Sequence, residues 1–158
     1  MKSNGKFKQY VALKKNLFNF DENNNLLDRY SEIEPDKLHP LVLAYVGDAY
    51  YHLYVRTRML NFDFTHVHLL NDFSMKIVSA VWQARAFEAI KEEFTKEELA
   101  LFKRAKNTKS HAPRVASVHD YHVSTGFEAV LGHLYLKKDL KRLDKLCKMA
   151  FTHVAKTL

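Results

Sequence analysis

One cysteine, Cys147, occurs in 158 residues. That excludes an intrachain disulfide and a zinc site built on clustered cysteines, and it suits a reducing compartment. Glycine and proline are scarce too, with four and three residues. So few turn formers argue against an all-β design with many tight turns. No apolar run is long enough to cross a bilayer, which takes about 20 residues. The best candidate, Leu41 to Val55, is broken by Gly47, Asp48 and His52. The basic, polar start from Met1 to Tyr10 leads into no signal-peptide core, because Lys14 and Lys15 interrupt the apolar residues. The expectation is a soluble cytoplasmic protein with no membrane partner.

Hydrophobic residues make up 47% of the chain and aromatics 13%, enough to fill the core of a single domain. The formal net charge is +7 and the sequence pI about 9.4. A basic domain of this size points to an anionic partner, nucleic acid first and an anionic membrane second. Residues 1–36 read as a partly ordered extension, with Asn23-Asn24-Asn25 and the acids Glu32, Glu34 and Asp36 marking loop. Residues 37–158 read as the folded domain. Pro40 suits the first turn of a helix running to about Met59. Thr65 opens a second, to about Glu93, with apolar residues from Leu69 to Phe87 at three- and four-residue spacing. Thr95 and Glu98 form a capping-box pattern ahead of a third helix. A basic loop from Lys103 to Arg114 comes next. Two more helices run from about Asp120 to Lys138 and from Leu140 onward. Five helices and no convincing strand predict an all-α bundle.

Two carboxylates stand in unusual company. Asp48 is the only charge between Leu41 and Tyr51, and Glu128 sits among small and apolar residues from Ser124 to Gly132. An unpaired carboxylate in an apolar setting costs several kcal/mol, roughly, or takes up a proton. Gly126 and Gly132 are poor helix formers and suggest close approach of another backbone. Two acids on crossing helices suit a hard divalent cation such as magnesium, which can activate water against a phosphodiester. The stretch Lys103 to Arg114 holds five Lys or Arg and no acid. Lys103, Arg104, Lys106, Asn107, Lys109 and Arg114 offer the donors that phosphate and ribose contacts need. His119-Asp120 matches the His-Asp pair of metal phosphohydrolases, but the chain leaves little room for a distal Asp.

Leu43-Ala44-Tyr45-Val46-Gly47-Asp48-Ala49 resembles the ribonuclease III signature, and Ser124 to Gly132 resembles that family's second acidic motif. Lys76 to Ala80 with Gln83-Ala84, and Arg104 to Ser110, are similar to the pattern of the short Mini-ribonuclease III branch, which lacks a double-stranded-RNA-binding domain. The resemblance covers residues 38–155. It implies a ribonuclease III-like helical domain forming a homodimer, with Asp48 and Glu128 as catalytic ligands of Mg2+. It also implies Mg-dependent cleavage of double-stranded RNA, leaving 5′-phosphate ends, in maturing precursor 23S ribosomal RNA in a bacterium or a plastid, with ribosomal proteins as candidate partners. Ala44 and Thr125 occupy places where longer relatives carry two further carboxylates, so weaker magnesium binding is expected. Tyr45, at the signature's aromatic position, is the candidate anchor across the dimer axis. The competing expectation is a catalytically silent RNA-binding dimer acting in ribosome assembly.

Overall fold

The computed structural model describes residues 3–28, 30–61, 65–109 and 117–158. The chain divides into two compact units, Met1–Glu34 and Pro35–Leu158. The first contains helix α1 (Ser3–Leu17) and a tight turn. There Asp21 accepts from the backbone N–H of Asn23 at 2.9 Å and of Asn25 at 2.8 Å, and Asn24 takes the left-handed conformation at φ 64°.

The second unit carries α2 (Pro40–Met59), α3 (Val67–Ile77), α4 (Ala80–Ile90), α5 (Lys96–Lys106), α6 (Val118–Leu136) and α7 (Leu140–Thr157). The described residues form no named strand, and the all-α expectation is met. No helix among them is long and apolar enough to cross a membrane. α6 is the axle of the bundle: from Val123 to Leu134 only Glu128 and His133 are not buried. α2, α4, α5 and α7 pack around it. Phe127 of α6 meets the edge of Tyr51 of α2 at 5.4 Å between ring centroids, and Phe87 of α4 stacks on Phe102 of α5 at 3.8 Å. α7 supplies Leu143, Leu146, Cys147, Ala150 and Val154 as a continuous buried stripe.

Several ends form as their residues dictate. Pro40 occupies the first turn of α2, whose N-cap His39 accepts from Leu41 N–H through Nδ1 at 3.2 Å. Thr95 and Glu98 make the reciprocal capping box that opens α5. Glu98 also takes a two-pronged ion pair from Arg142 at 2.9 and 2.8 Å, which ties the start of α7 to the start of α5.

Two expectations need correction. The long helix from Thr65 to Glu93 is broken at Val78 and Ser79, where Ser79 is extended (ψ 152°), and its last residues, Lys91–Glu93, form a separate 3₁₀ turn. Apolar spacing runs through the break undisturbed, so periodicity could not reveal it. The basic stretch is also not a loop throughout: Lys103, Arg104 and Lys106 form the last turn of α5. Buried Leu101, Phe102 and Ala105 keep that turn helical, and positive charge is favourable at a helix C-terminus.

α2 and α6 approach each other backbone to backbone. A Cβ on Gly47 would overlap the Glu128 carbonyl oxygen and lie 2.7 Å from Gly132 N. A Cβ on Gly132 would overlap the Leu43 carbonyl oxygen and lie 2.9 Å from Gly47 N. Here backbone meets backbone, and no side chain can swing away. Gly47→Ala and Gly132→Ala should each destabilise the protein by about 3 kcal/mol or more, at or beyond the upper end for overpacking. Gly5→Ala, with no atom within 4 Å of its added methyl, should be neutral or slightly stabilising. Thermal melting of the three variants checks this; a wild-type melting temperature for Gly47→Ala would contradict it.

Candidate active site

The glycine crossing places the two carboxylates. Asp48 directly follows Gly47 on α2, and Glu128 lies one turn before Gly132 on α6. Both line a cleft of about 400 Å³, together with Ala44, Tyr45, Gln83, Tyr121 and Thr125. Ala44 and Thr125, the residues standing where longer relatives are expected to carry carboxylates, therefore face the same space. The Thr125 hydroxyl donates its proton to the Tyr121 carbonyl at 2.8 Å.

The two acids differ in setting. Asp48 does not bear the desolvation that its apolar neighbours suggest: its side chain is 51% exposed at the cleft mouth, with His52 Nε2 3.2 Å from Oδ1 one turn along. The desolvation falls on Glu128, which protein surrounds on all but its cleft side. Burial, and then the negative charge of Asp48, push the Glu128 carboxyl up to about 8. The Gln83 side chain opposes this by donating from Nε2 to Glu128 Oε1 at 2.9 Å. At neutral pH and without a cation, the pair therefore holds a proton.

Such a pair fits a hard divalent cation. Two oxygen donors on rigid helices face one cleft, and a cation would replace the proton that their mutual repulsion now retains. Among the described residues no cluster of three or more His, Cys, Asp or Glu could hold a metal, so these two acids are their whole anionic contribution. Asp120 of the His119-Asp120 pair is engaged at the start of α6, where its Oδ2 accepts from the Ser117 hydroxyl at 2.7 Å.

Of the other candidate residues that the structure describes, only Tyr45 lines this cleft. Tyr45 lines the cleft and is 79% exposed, so it is not a core residue of its own unit. Lys103, Arg104, Asn107 and Lys109 lie at or near the surface, Lys106 is half-buried, and none lines the cleft. Asn107 caps the C-terminus of α5. Arg114 lies outside the described residues. Arg104 borders a larger cleft of about 680 Å³, where Asp36 already pairs with His133 at 2.7 Å and Lys137 at 2.9 Å, and Glu98 with Arg142. Nothing in the sequence assigns Gln83 a role, although it stands in a segment that carries the family resemblance. Only its contact with Glu128 singles it out, and that contact depends on the unpredicted break between α3 and α4.

Comparison with known proteins places this geometry in context. Residues 41–139 match the Ribonuclease III domain. A Mini-ribonuclease 3 of Staphylococcus aureus is 41% identical over 120 residues, covering 74% of this chain and 90% of that protein. One from Thermoanaerobacter is 35% identical over 139 residues, covering 87% and 96%. A crystal structure of a Fusobacterium nucleatum protein superposes with a TM-score of 0.67 at 30% identity, covering 74% of this chain and 94% of that one.

The raised Glu128 carboxyl makes stability depend on pH. A folded-state value above the unfolded one means the contribution is complete below about 4.5, erodes as the unfolded chain ionises, and is lost as pH rises through about 8. In chelator, the melting temperature of wild type minus that of Glu128→Gln should therefore fall by several degrees between pH 5 and pH 9. Added magnesium or manganese should recover the loss at the alkaline end. Calorimetric scans of both proteins check this, and a difference that stayed constant with pH would show that Glu128 ionises normally.

Proposed function

The chain belongs to the ribonuclease III family and is an endoribonuclease; from that premise we propose that it is a magnesium-dependent enzyme cutting double-stranded RNA as a homodimer. The observation carrying this reading is the convergence of Asp48 and Glu128 on one cleft, fixed by the Gly47–Gly132 crossing. Asp48 and Glu128 would hold the metal. When bound, magnesium supplies Lewis-acid activation of the scissile phosphodiester and of the attacking water. The chain's own groups do the rest. Asp48, open to solvent, meets the incoming backbone first. Glu128 would release its proton to solvent when a cation occupies the site, and its carboxylate would then face that cation beside Asp48. Thr125 and Ala44 add no charge, which supports a site of modest magnesium affinity.

Substrate grip comes from outside the cleft. Lys103, Arg104, Lys106 and Lys109 cluster at the end of α5 and just beyond, and among the described residues no carboxylate pairs with them. Such a patch suits the phosphate lattice of an A-form duplex, read by shape rather than sequence. Asn107 adds a donor for ribose or phosphate, and Arg114, outside the described residues, is a further candidate from the sequence. The similarity to Mini-ribonucleases 3 supports precursor 23S ribosomal RNA as the substrate, in a bacterial cytoplasm, with ribosomal proteins as candidate partners. Residues 1–34 would then be an extension to a catalytic domain of residues 35–158, a boundary two residues earlier than the sequence suggests, because Asp36 pairs with His133 and Lys137.

The homodimer reading rests on α2. Val42, Tyr45 and Leu53 are 46, 79 and 60% exposed and fall within one arc of the helix. An isologous contact through that arc would cover them and set two clefts against one duplex. Sedimentation at micromolar concentration should report twice the 18.5 kDa chain mass. Tyr45→Arg should shift the protein toward monomer and lower cleavage; a fully active monomer would refute the arrangement.

Asp48→Asn and Glu128→Gln should each bring magnesium-dependent cleavage of duplex RNA below detection while leaving duplex binding in calcium intact. Near-wild-type cleavage by either variant would remove that residue from the site. A wild type that binds duplex RNA but never cuts it would favour the silent assembly factor.

A further inference from the structure

We infer that Gln83 is a positioning residue for Glu128, locking the carboxylate in its cleft-facing setting and anchoring it to the break between α3 and α4. This rests on the reading of Asp48 and Glu128 as the metal-holding pair.

The Gln83 side chain is 1% exposed. Its single nitrogen makes two hydrogen bonds, donating to the Val78 carbonyl at 2.8 Å and to Glu128 Oε1 at 2.9 Å. Both amide protons are thereby used. Turning the amide over would set its own carbonyl oxygen against the Val78 carbonyl oxygen, which can only accept. The last torsion of a glutamate side chain is broad and weakly defined on its own. One fixed donor on Oε1 removes that freedom and leaves the other oxygen to the cleft shared with Asp48.

The acceptor at the far end exists only because the helix breaks. α3 stops at Ile77, Val78 is its C-cap, and α4 starts after extended Ser79. The Val78 carbonyl is thus free to receive a side chain, and Gln83, on the first turns of α4, is within reach. The Ser79 carbonyl meanwhile accepts the Gln83 backbone N–H at 2.9 Å. Gln83 is therefore held through its backbone and its side chain by the same junction, and it passes that rigidity to Glu128 across to α6. Support of a ligand by a hydrogen-bonded neighbour is worth about 10–100-fold in metal affinity or activity elsewhere.

The test uses the full chain with Gln83→Met and Gln83→Leu, which keep bulk and remove the donor. Manganese affinity, read from the electron paramagnetic resonance of the free ion, should weaken by about 10–100-fold. Single-turnover cleavage of duplex RNA in magnesium should fall by a similar factor, with duplex binding in calcium unchanged. In a Glu128→Gln background, Gln83→Met should leave manganese affinity as it is, because the residue acts through Glu128. An equal loss in both backgrounds, or wild-type affinity and rate in the single variants, would overturn the inference. If both variants melt below the assay temperature, the wild type still decides. Its Gln83 side-chain amide protons should exchange slowly with water and their resonances should move on saturation with magnesium. Freely exchanging or unmoved resonances would overturn the assignment. A wild type that neither binds manganese nor cuts duplex RNA would instead sink the metal-pair reading, and this inference with it.

Discussion

The contact between Gly47 and Gly132 governs the geometry of the whole cleft. Two helices of ordinary side chains keep their axes about 8–10 Å apart. Here the α2 and α6 backbones meet with no Cβ between them, so that an added methyl on either glycine would overlap a carbonyl oxygen of the other helix. Asp48 is the next residue after one glycine, and Glu128 is one turn from the other. A crossing held by backbone contact cannot drift by the fraction of an ångström that side-chain repacking would allow. The two carboxylates inherit that rigidity. The rest of the bundle keeps the crossing closed: Tyr51 against Phe127 on one side, and the Phe87, Phe94 and Phe102 cluster on another.

Forcing two acids together has an electrostatic consequence. One of them cannot keep its charge alone, and the division follows exposure. Asp48 stands half in solvent, while Glu128 is enclosed and holds a proton, the place that a cation would take in the proposed enzyme. A proton-holding pair and a cation-holding pair would then be two states of one geometry. That is a physical reason for a buried carboxylate to persist where an apolar residue would be more stable. Gln83 favours the charged state through its donated hydrogen bond and opposes burial without outweighing it.

The residues proposed to grip RNA stand apart from the two carboxylates. The lysines and arginine of α5 and its C-terminal extension do not reach into the cleft of Asp48 and Glu128, where they would compete with a cation for the same carboxylates. They occupy a helix end, where their charge also complements the helix dipole. The opposite requirement holds for Tyr45, which lines the cleft and remains largely exposed on α2. An aromatic ring in that position is costly in water unless something covers it, whether a second copy of the chain or the RNA itself.

Much of this was legible in the sequence because it depends on local rules. Pro40 at a helix start, the Thr95–Glu98 capping box and the apolar stripe of α7 are written within a few residues and appear where they are expected. The motifs around Asp48 and Glu128 likewise carried the family and both acids. What could not be read depends on contacts between elements distant in the chain. The break at Val78–Ser79 leaves the apolar period intact, so one helix and two give the same pattern, and only packing against α6 distinguishes them. Gln83 looks like any helix glutamine until a carboxylate 45 positions away is found 2.9 Å from its nitrogen. Which of two equally apolar-flanked acids is enclosed was decided in the same way. Flanking residues say what surrounds a side chain along the chain, but desolvation is set by what packs around it in space, and that put Asp48 at the mouth of the cleft and Glu128 inside.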